Sequence, residues 1–160
     1  MLTFSQILIR FAVALILGAL LGLERELVGK EAGIRTEMLV AGGASIFTII
    51  GLILPYVTAN MSGSTVNLVA QSNSLAIIAN IVIGIGFLGA GLIIKTGDRP
   101  HGITTAALVW TTAAVGILAG IGMIEIAIAT AIIITFLLYL LRKLDIAERV
   151  EKAAHDTHIK

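Results

Sequence analysis

The sequence lacks cysteine, contains only two prolines, and carries charged side chains at just 13% of its 160 positions. Without cysteine, a disulfide scaffold, a thiolate metal site and a cysteine nucleophile are all excluded. Soluble domains average about 25% charged residues, so this chain has too few of them to cover a water-facing surface. The 11 basic and 10 acidic residues leave a formal net charge of +1, which gives no electrostatic reason to expect a nucleic-acid partner.

Hydrophobic residues make up 58% of the chain and its mean hydropathy is +1.03, which together predict an integral membrane protein. A helix that crosses the hydrocarbon core uses about 20 residues. Five apolar runs of suitable length follow one another: Ile7 to Leu23, Met38 to Val57, Leu75 to Ile94, Ile103 to Met123 and Ile124 to Leu141. The predicted fold is all-α, with a five-helix transmembrane domain over residues 1–141 and a short, amphipathic, cytoplasmic tail over residues 142–160.

The last two apolar runs are nearly fused, so four spans with one long bent helix is an alternative. The segment from Ile103 to Leu141 has 39 residues, about twice one crossing, and the glycines before Glu125 supply a turn. Because lysine and arginine collect in cytoplasmic loops, five helices with the N-terminus outside and the C-terminus in the cytoplasm fit best. Only Arg10 then lies toward the outside, and ten basic residues share the cytoplasmic side: Arg25, Lys30, Arg35, Lys95, Arg99, Arg142, Lys143, Arg149, Lys152 and Lys160.

A shift of 69 residues aligns the segment that follows helix one with the segment that follows helix three. Nine of the thirty positions from Gly22 to Gly51 are then identical to their partners between Gly91 and Gly120. This pattern indicates a parallel duplication, in which helices one and two correspond to helices three and four, as in some transporters.

Helix three contains the run GIGFLGAG, from Gly84 to Gly91. Its glycines match the dinucleotide-binding spacing G-x-G-x-x-G, but that motif needs a preceding strand and a solvent-exposed helix start. Small residues in lipid let helices approach closely, so we interpret the glycines as packing positions, with a backbone-lined ion passage as the alternative. The predicted packing positions are Gly18, Gly22, Gly84, Gly86, Gly89, Gly91, Gly116 and Gly120.

The connector between helices one and two holds four carboxylates and three cations from Glu24 to Glu37. A solvated loop has the same composition. The functional interpretation rests on position, because Glu24 and Arg25 end one apolar helix and Arg35 begins the next, where the side chains can pair at the membrane boundary. The two arginines are also a candidate site for lipid phosphate or an anionic partner. No resident cofactor is predicted, although the carboxylates are an unspecific candidate for hydrated Mg²⁺.

Helix four repeats the sequence TTAA, beginning at Thr104 and at Thr111, with Trp110 beside the second copy. Seven residues are close to two helical turns, so both hydroxyl pairs are expected on one face. Bonds from these hydroxyls to backbone carbonyls, or between helices three and four, are the simple explanation, and a polar path for an ion is the alternative. Asn80 is an isolated polar residue inside helix three, which marks either a candidate site or an interhelical hydrogen bond.

No nucleophile, base and orienting group lie together in the sequence, so no enzyme is predicted. Two hypotheses remain. The first is a non-enzymatic protein that acts by helix packing, either on itself as a homo-oligomer or on a larger membrane complex. The second is a small transporter or channel for a cation such as Mg²⁺, which the duplication, the threonine-rich face and Asn80 favour.

Three segments, LGLERELVGKEAGIRT, GIGFLGAGLI and GITTAALVWTTAAVGILAG, resemble the MgtC/SapB family of bacterial inner-membrane proteins, and the resemblance covers about Leu17 to Leu141. It implies a multi-pass protein of the inner membrane with five helices, an outside N-terminus, and a link to magnesium limitation and stress adaptation. For virulence-associated members it also implies inhibition of the F-type ATP synthase and survival inside macrophages. The motif positions carried over are Glu24, Arg25, Gly33, Arg35, Thr36, Gly84 to Gly91, Gly102, Thr104, Thr105 and Trp110.

Two features depart from the family pattern. Virulence-associated members carry a soluble C-terminal domain that resembles the ACT fold, which these 160 residues do not include. Glu37 stands where the family commonly has histidine or asparagine, and Asn80 stands where glutamine is usual. We therefore expect the family's membrane domain here, whereas the macrophage role does not follow from the resemblance.

Overall fold

The computed structural model describes residues 2–62, 68–96 and 99–157. All five helices in this part of the chain contain stretches long and apolar enough to cross a membrane. The predicted five-span, helical fold is therefore confirmed, and the four-span alternative is wrong; the orientation in the membrane stays a prediction. The elements are α1 (Phe4–Leu27), α2 (Ile34–Ser62), α3 (Leu68–Leu92), β1 (Ile94–Thr96), β2 (Arg99–His101), α4 (Ile103–Ile121) and α5 (Ile124–Thr157).

Several helices are longer than the apolar runs that predicted them. α1 ends at Leu27 instead of Leu23, and α3 begins at Leu68 instead of Leu75. α5 continues without a break through the predicted tail as far as Thr157. Capping groups end a helix, whereas an apolar run ends where the hydrocarbon does, so the two boundaries need not coincide.

Local hydrogen bonds define both ends of α1 and the start of α2. The hydroxyl of Thr3 accepts from the backbone N–H of Gln6, whose side chain accepts from the N–H of Thr3, which forms a capping box. At the other end Lys30 N–H donates to the Arg25 carbonyl, and Gly29, with φ of 67°, supplies the left-handed residue of a Schellman motif. The connector therefore turns sharply, and α2 starts only a few residues later.

A short antiparallel hairpin joins α3 to α4. Ile94 pairs with His101, Lys95 with Pro100 and Thr96 with Arg99. Gly102 follows the hairpin with φ of 86° and begins α4. The sequence predicted no strands here, because a three-residue strand is too short to show alternation.

A tight turn separates α4 from α5. The backbone N–H groups of Gly122 and Met123 both donate to the Leu118 carbonyl, and Gly122 has φ of 101°. Nη1 of Arg10, on α1, donates to the Gly120 carbonyl at 2.9 Å. A cation is favourable there because the end of a helix carries partial negative charge.

α4 contacts all four other helices and lies at the centre of the bundle. It runs in the same direction as α2, with Gly116 against Ala41 and Gly120 against Ser45. Gly18 of α1 packs against the same stretch of α2, where a Cβ atom would lie 2.9 Å from Ala41 Cβ. Parallel α2 and α4 agree with the proposed duplication, but the two connectors differ in structure, so the duplication stays a prediction.

Candidate functional site

Arg25 lies on the buried side of α1, in the last turn of that helix, and only 7% of it is exposed. Its Nη2 donates a hydrogen bond to Oγ1 of Thr105 in α4 at 3.0 Å. Its Nη1 lies 3.6 Å from Oε2 of the neighbouring Glu24. The guanidinium thus joins α1 to α4 at the end of the bundle where the connector turns.

Glu37 is fully buried, although it carries a carboxylate in the first turn of α2. Neither of its carboxylate oxygens has a hydrogen-bond partner in the part of the chain that the structure describes. The Thr112 hydroxyl faces the carboxylate, and Arg25 lies within electrostatic range. A Cβ at Gly18 would lie 2.5 Å from the Glu37 carbonyl oxygen. Glycine at position 18 therefore permits α1 and α2 to close around this residue.

The depth of Glu37 follows from its neighbour. Thr112 is the tenth of the nineteen residues of α4, so it lies halfway along that helix. Nineteen residues span about 28 Å, close to the hydrocarbon thickness of roughly 30 Å. The carboxylate therefore lies inside the transmembrane bundle, level with the middle of α4. An ionisable residue at this depth is costly to keep and marks a candidate functional site.

Hydroxyl groups continue the buried polar surface between α2 and α4. Ser45 and Thr48 lie on the same side of α2 as Glu37, and both are buried. Thr48 donates to the Ala44 carbonyl at 2.8 Å, while the hydroxyls of Ser45 and Thr112 find no partner among the described residues. We name this set the polar seam; its members are Arg25, Glu37, Ser45, Thr48, Thr105 and Thr112.

Three other predicted site residues, Arg35, Thr36 and Asn80, lie away from the polar seam. They line a groove of about 700 Å³ between α2 and α3. The expected pairing of Arg35 with the end of α1 is not observed, because Arg25 is directed inward to Thr105 while Arg35 stays exposed.

The sequence predicted that the two threonine pairs of helix four share one face, and the structure shows that they do not. Thr105 and Thr112 are buried in the polar seam, whereas Thr104 is exposed and Thr111 bonds back to the Ala107 carbonyl at 2.8 Å. Adjacent residues are about 100° apart around a helix, so only the members seven positions apart point the same way. Trp110 is also exposed, at 51%.

The predicted packing glycines fall into two groups. A Cβ atom would come closer than 3 Å to α2 or to its connector at Gly18, Gly22, Gly116 and Gly120, and would reach ordinary contact with Ala106 of α4 at Gly89. No neighbouring atom lies within 4 Å of a Cβ placed at Gly84, Gly86 or Gly91. The first group packs inside the bundle, and the second borders open space.

Sequence reasoning missed the burial of Glu37, which it counted among the connector carboxylates and noted as a departure from the family pattern, and it missed Ser45. A signal exists in the spacing of Glu37, Ala41, Ser45 and Thr48, which places all four on one side of a helix. The helix that covers this side, however, is encoded some 70 positions further along the chain.

Two of the connector carboxylates have other partners in the structure. Glu24 lies beside Arg25, and Oε2 of Glu26 accepts a hydrogen bond from the Ile34 backbone N–H at 2.8 Å. Within residues 2–62, 68–96 and 99–157, no three His, Asp or Glu side chains group as metal ligands. These carboxylates therefore have structural partners instead of a shared opening for an ion.

The fold and the polar seam define a multi-pass membrane protein with ionisable groups buried inside its helix bundle. A sequence model of the MgtC family matches residues 11–146. The chain belongs to the MgtC family. Protein MgtC of Salmonella typhimurium is 40% identical over 152 residues, which cover 95% of this chain and 58% of that relative. Protein MgtC of Brucella abortus is 43% identical over 124 residues, which cover 77% of this chain and 46% of that relative.

The chain thus spans about half the length of the curated relatives it matches. No solved structure matches it. Together with the five spans, these bacterial relatives identify a multi-pass bacterial membrane protein.

Proposed function

We propose that the chain is a non-enzymatic protein of the bacterial inner membrane that serves adaptation to magnesium limitation and stress by packing against another transmembrane helix. That helix belongs to a second copy of the chain or to a larger membrane complex, such as the F-type ATP synthase that the family resemblance implies. The observation that carries this proposal is an uncovered side of α3 rich in small residues.

We name this surface the open α3 face; it consists of Ala79, Ile83, Gly86 and Ala90. All four residues are exposed, and their spacing of four, three and four positions keeps them on one stripe of the helix. A Cβ atom at Gly86 would meet no other atom within 4 Å. Helices in lipid associate through such small residues, because their backbones can then approach closely.

The same chemistry already holds the bundle together from within. Gly18 lets α1 approach α2, and Gly116 lets α4 approach α2, each through contact with backbone atoms. The open α3 face offers a comparable surface on the outside of the bundle, with lipid or a partner helix as its neighbour. Binding of a partner there requires no catalytic residues.

A bulky residue at Gly86 tests the proposal. Gly86→Leu is expected to abolish the native assembly, measured by the oligomer distribution in mild detergent and by mass spectrometry of proteins that copurify from native membranes. The matched control is Ala129→Leu, which adds a similar side chain at an exposed position of α5. An assembly that survives Gly86→Leu unchanged would reject the open α3 face as the contact surface.

A second candidate function, transport of Mg²⁺ or another cation, is favoured by the polar seam. Its Glu37 carboxylate is fully buried and has no hydrogen-bond partner among the described residues, so it is a candidate for binding a cation during passage. Asn80 contributes less to this candidate than the sequence suggested, because it lines the α2–α3 groove outside the seam.

Flux into proteoliposomes distinguishes the two functions. The transporter requires Mg²⁺ uptake by the purified protein alone and loss of that uptake in Glu37→Gln, which keeps the shape of the side chain and removes its charge. If the protein takes up no Mg²⁺ while its native assembly is intact, the transport function is rejected and the packing function remains.

A further inference from the structure

The groove between α2 and α3 has one closed and one open end. At the closed end α3 contacts α2, where a Cβ at Gly51 would lie 3.4 Å from Ile77 Cδ1. Toward the other end, no atom lies within 4 Å of a Cβ placed at Gly43 or at Gly84, which both line the groove. The two helices therefore diverge toward Arg35, and the space between them opens to the surrounding lipid.

The dimensions of the groove match a single lipid chain. Its α2 wall extends over thirteen residues from Arg35 to Phe47, or about 18 Å along the helix. One leaflet contributes about half of the roughly 30 Å hydrocarbon thickness. Its volume is about 700 Å³, and almost all of its lining is apolar. An acyl chain of one leaflet thus fills the groove along most of its length.

Arg35 gives the open end a positive charge. Its side chain is exposed, and in the part of the chain that the structure describes it has neither an ion pair nor a hydrogen bond. Two carboxylates of the neighbouring connector are already engaged, Glu24 beside Arg25 and Glu26 with the Ile34 N–H. Arginine binds phosphate well because its planar guanidinium donates two parallel hydrogen bonds.

We propose that the α2–α3 groove binds one acyl chain of an anionic phospholipid, whose phosphate is held by Arg35. The apolar groove binds the acyl chain, and Arg35 favours a negatively charged headgroup. The site lies on the side of α3 opposite the open α3 face, so it does not depend on the function proposed above.

Competition between lipids in native mass spectrometry tests the headgroup. We expect delipidated wild-type protein to bind phosphatidylglycerol about fivefold more tightly than phosphatidylcholine with the same chains, the preference that one surface arginine provides. Arg35→Gln is expected to remove the preference, while Arg142→Gln, at an exposed arginine of α5, retains it. An unchanged preference in Arg35→Gln would overturn the proposal.

A second pair of variants tests whether an acyl chain fills the groove. Gly84→Leu fills the groove and is expected to lose the tightly bound lipid, whereas Gly86→Leu adds the same bulk on the opposite side of α3 and retains it. Asn80→Leu makes the closed end fully apolar and is expected to leave lipid binding intact. Retention of the lipid in Gly84→Leu, or its loss in Asn80→Leu, would contradict an acyl chain as the occupant.

Glycerol 3-phosphate separates a lipid from a free phosphate. Without acyl chains it should not displace phosphatidylglycerol, since Arg35 alone is one exposed cation in water. Efficient displacement would assign the site to a soluble phosphate and overturn the proposal.

Discussion

Arg25 is a buried, positively charged residue that uses only part of its hydrogen-bonding capacity. It donates to Thr105 and lies beside Glu24, but its Nε has no partner among the described residues. Glu37 is also buried, and neither of its carboxylate oxygens has a hydrogen-bond partner among the described residues. Taking such charges out of water costs stability, and the cost rises further when the remaining partner of a buried charge is removed.

Arg25→Met is expected to destabilise the protein by about 3–5 kcal/mol, the usual effect of removing one partner from a buried pair. The substitution keeps most of the side-chain volume but leaves Glu24 and Glu37 without a nearby cation. Thermal unfolding in detergent, followed by circular dichroism, measures the loss. The control Arg35→Gln removes an exposed arginine and should change stability by less than about 0.5 kcal/mol. Equal stability of the two variants would contradict a structural role for Arg25.

Gly116 and Gly84 provide a matched pair on two helices of the same bundle. A Cβ at Gly116 would overlap the Ala41 carbonyl oxygen of α2, whereas one at Gly84 would meet no atom within 4 Å. Gly116→Ala is therefore expected to cost about 1–3 kcal/mol through overpacking. Gly84→Ala is expected to stabilise by up to about 1 kcal/mol, because alanine favours a helix more than glycine does. Unfolding in the same detergent compares them, and a Gly116→Ala protein as stable as wild type would contradict the close α2–α4 contact.

At the scale of elements, the ends of the helices depend on glycines with left-handed backbone conformations. Gly29 ends α1 with φ of 67°, and Gly102 begins α4 with φ of 86°. They differ in their surroundings, since a Cβ at Gly102 would overlap the Leu92 carbonyl oxygen and one at Gly29 would meet nothing within 4 Å. The hairpin between α3 and α4 therefore leaves less room for a side chain than the α1–α2 connector.

This difference predicts unequal effects of the same substitution. Gly29→Ala should cost about 1–2 kcal/mol, the penalty of a left-handed conformation for alanine. Gly102→Ala should cost more, because the clash with Leu92 adds to that penalty and displaces the start of α4. Chemical unfolding of the two variants side by side measures the difference. Effects of equal size would show that the hairpin yields to the added methyl group.

At the scale of the whole molecule, the natural absence of cysteine allows the orientation to be tested with single cysteine variants. Ser5 lies exposed near the start of α1, and Glu31 lies exposed in the α1–α2 connector. The positive-inside rule predicts that a membrane-impermeant maleimide labels Ser5→Cys in right-side-out vesicles and labels Glu31→Cys only after they are opened. The opposite pattern would reverse the orientation, and labelling of both sites in sealed vesicles would invalidate a topology with these sites on opposite sides.

Particular residues show how far the sequence could predict the structure. The five spans were predictable, and so was the break between α4 and α5, because apolar length and the glycines near Glu125 are properties of neighbouring residues. The β-hairpin before Gly102 was not, since its strands have three residues each. At the site, Arg25 and Thr105 were both candidates, but they are 80 positions apart and nothing local indicates that they bond.

Composition and hydropathy by themselves determined that the chain is an integral membrane protein, how many times it crosses the membrane, and which stretches form helices. These properties follow from the length of apolar segments against the thickness of a bilayer, which requires no knowledge of helix neighbours. Only the tertiary structure decided that Arg25 and Glu37 face the interior while Arg35 and Asn80 line an open groove. In lipid both sides of a helix are apolar, so hydrophobic periodicity cannot indicate which side packs, and the close contacts at glycines determine it instead.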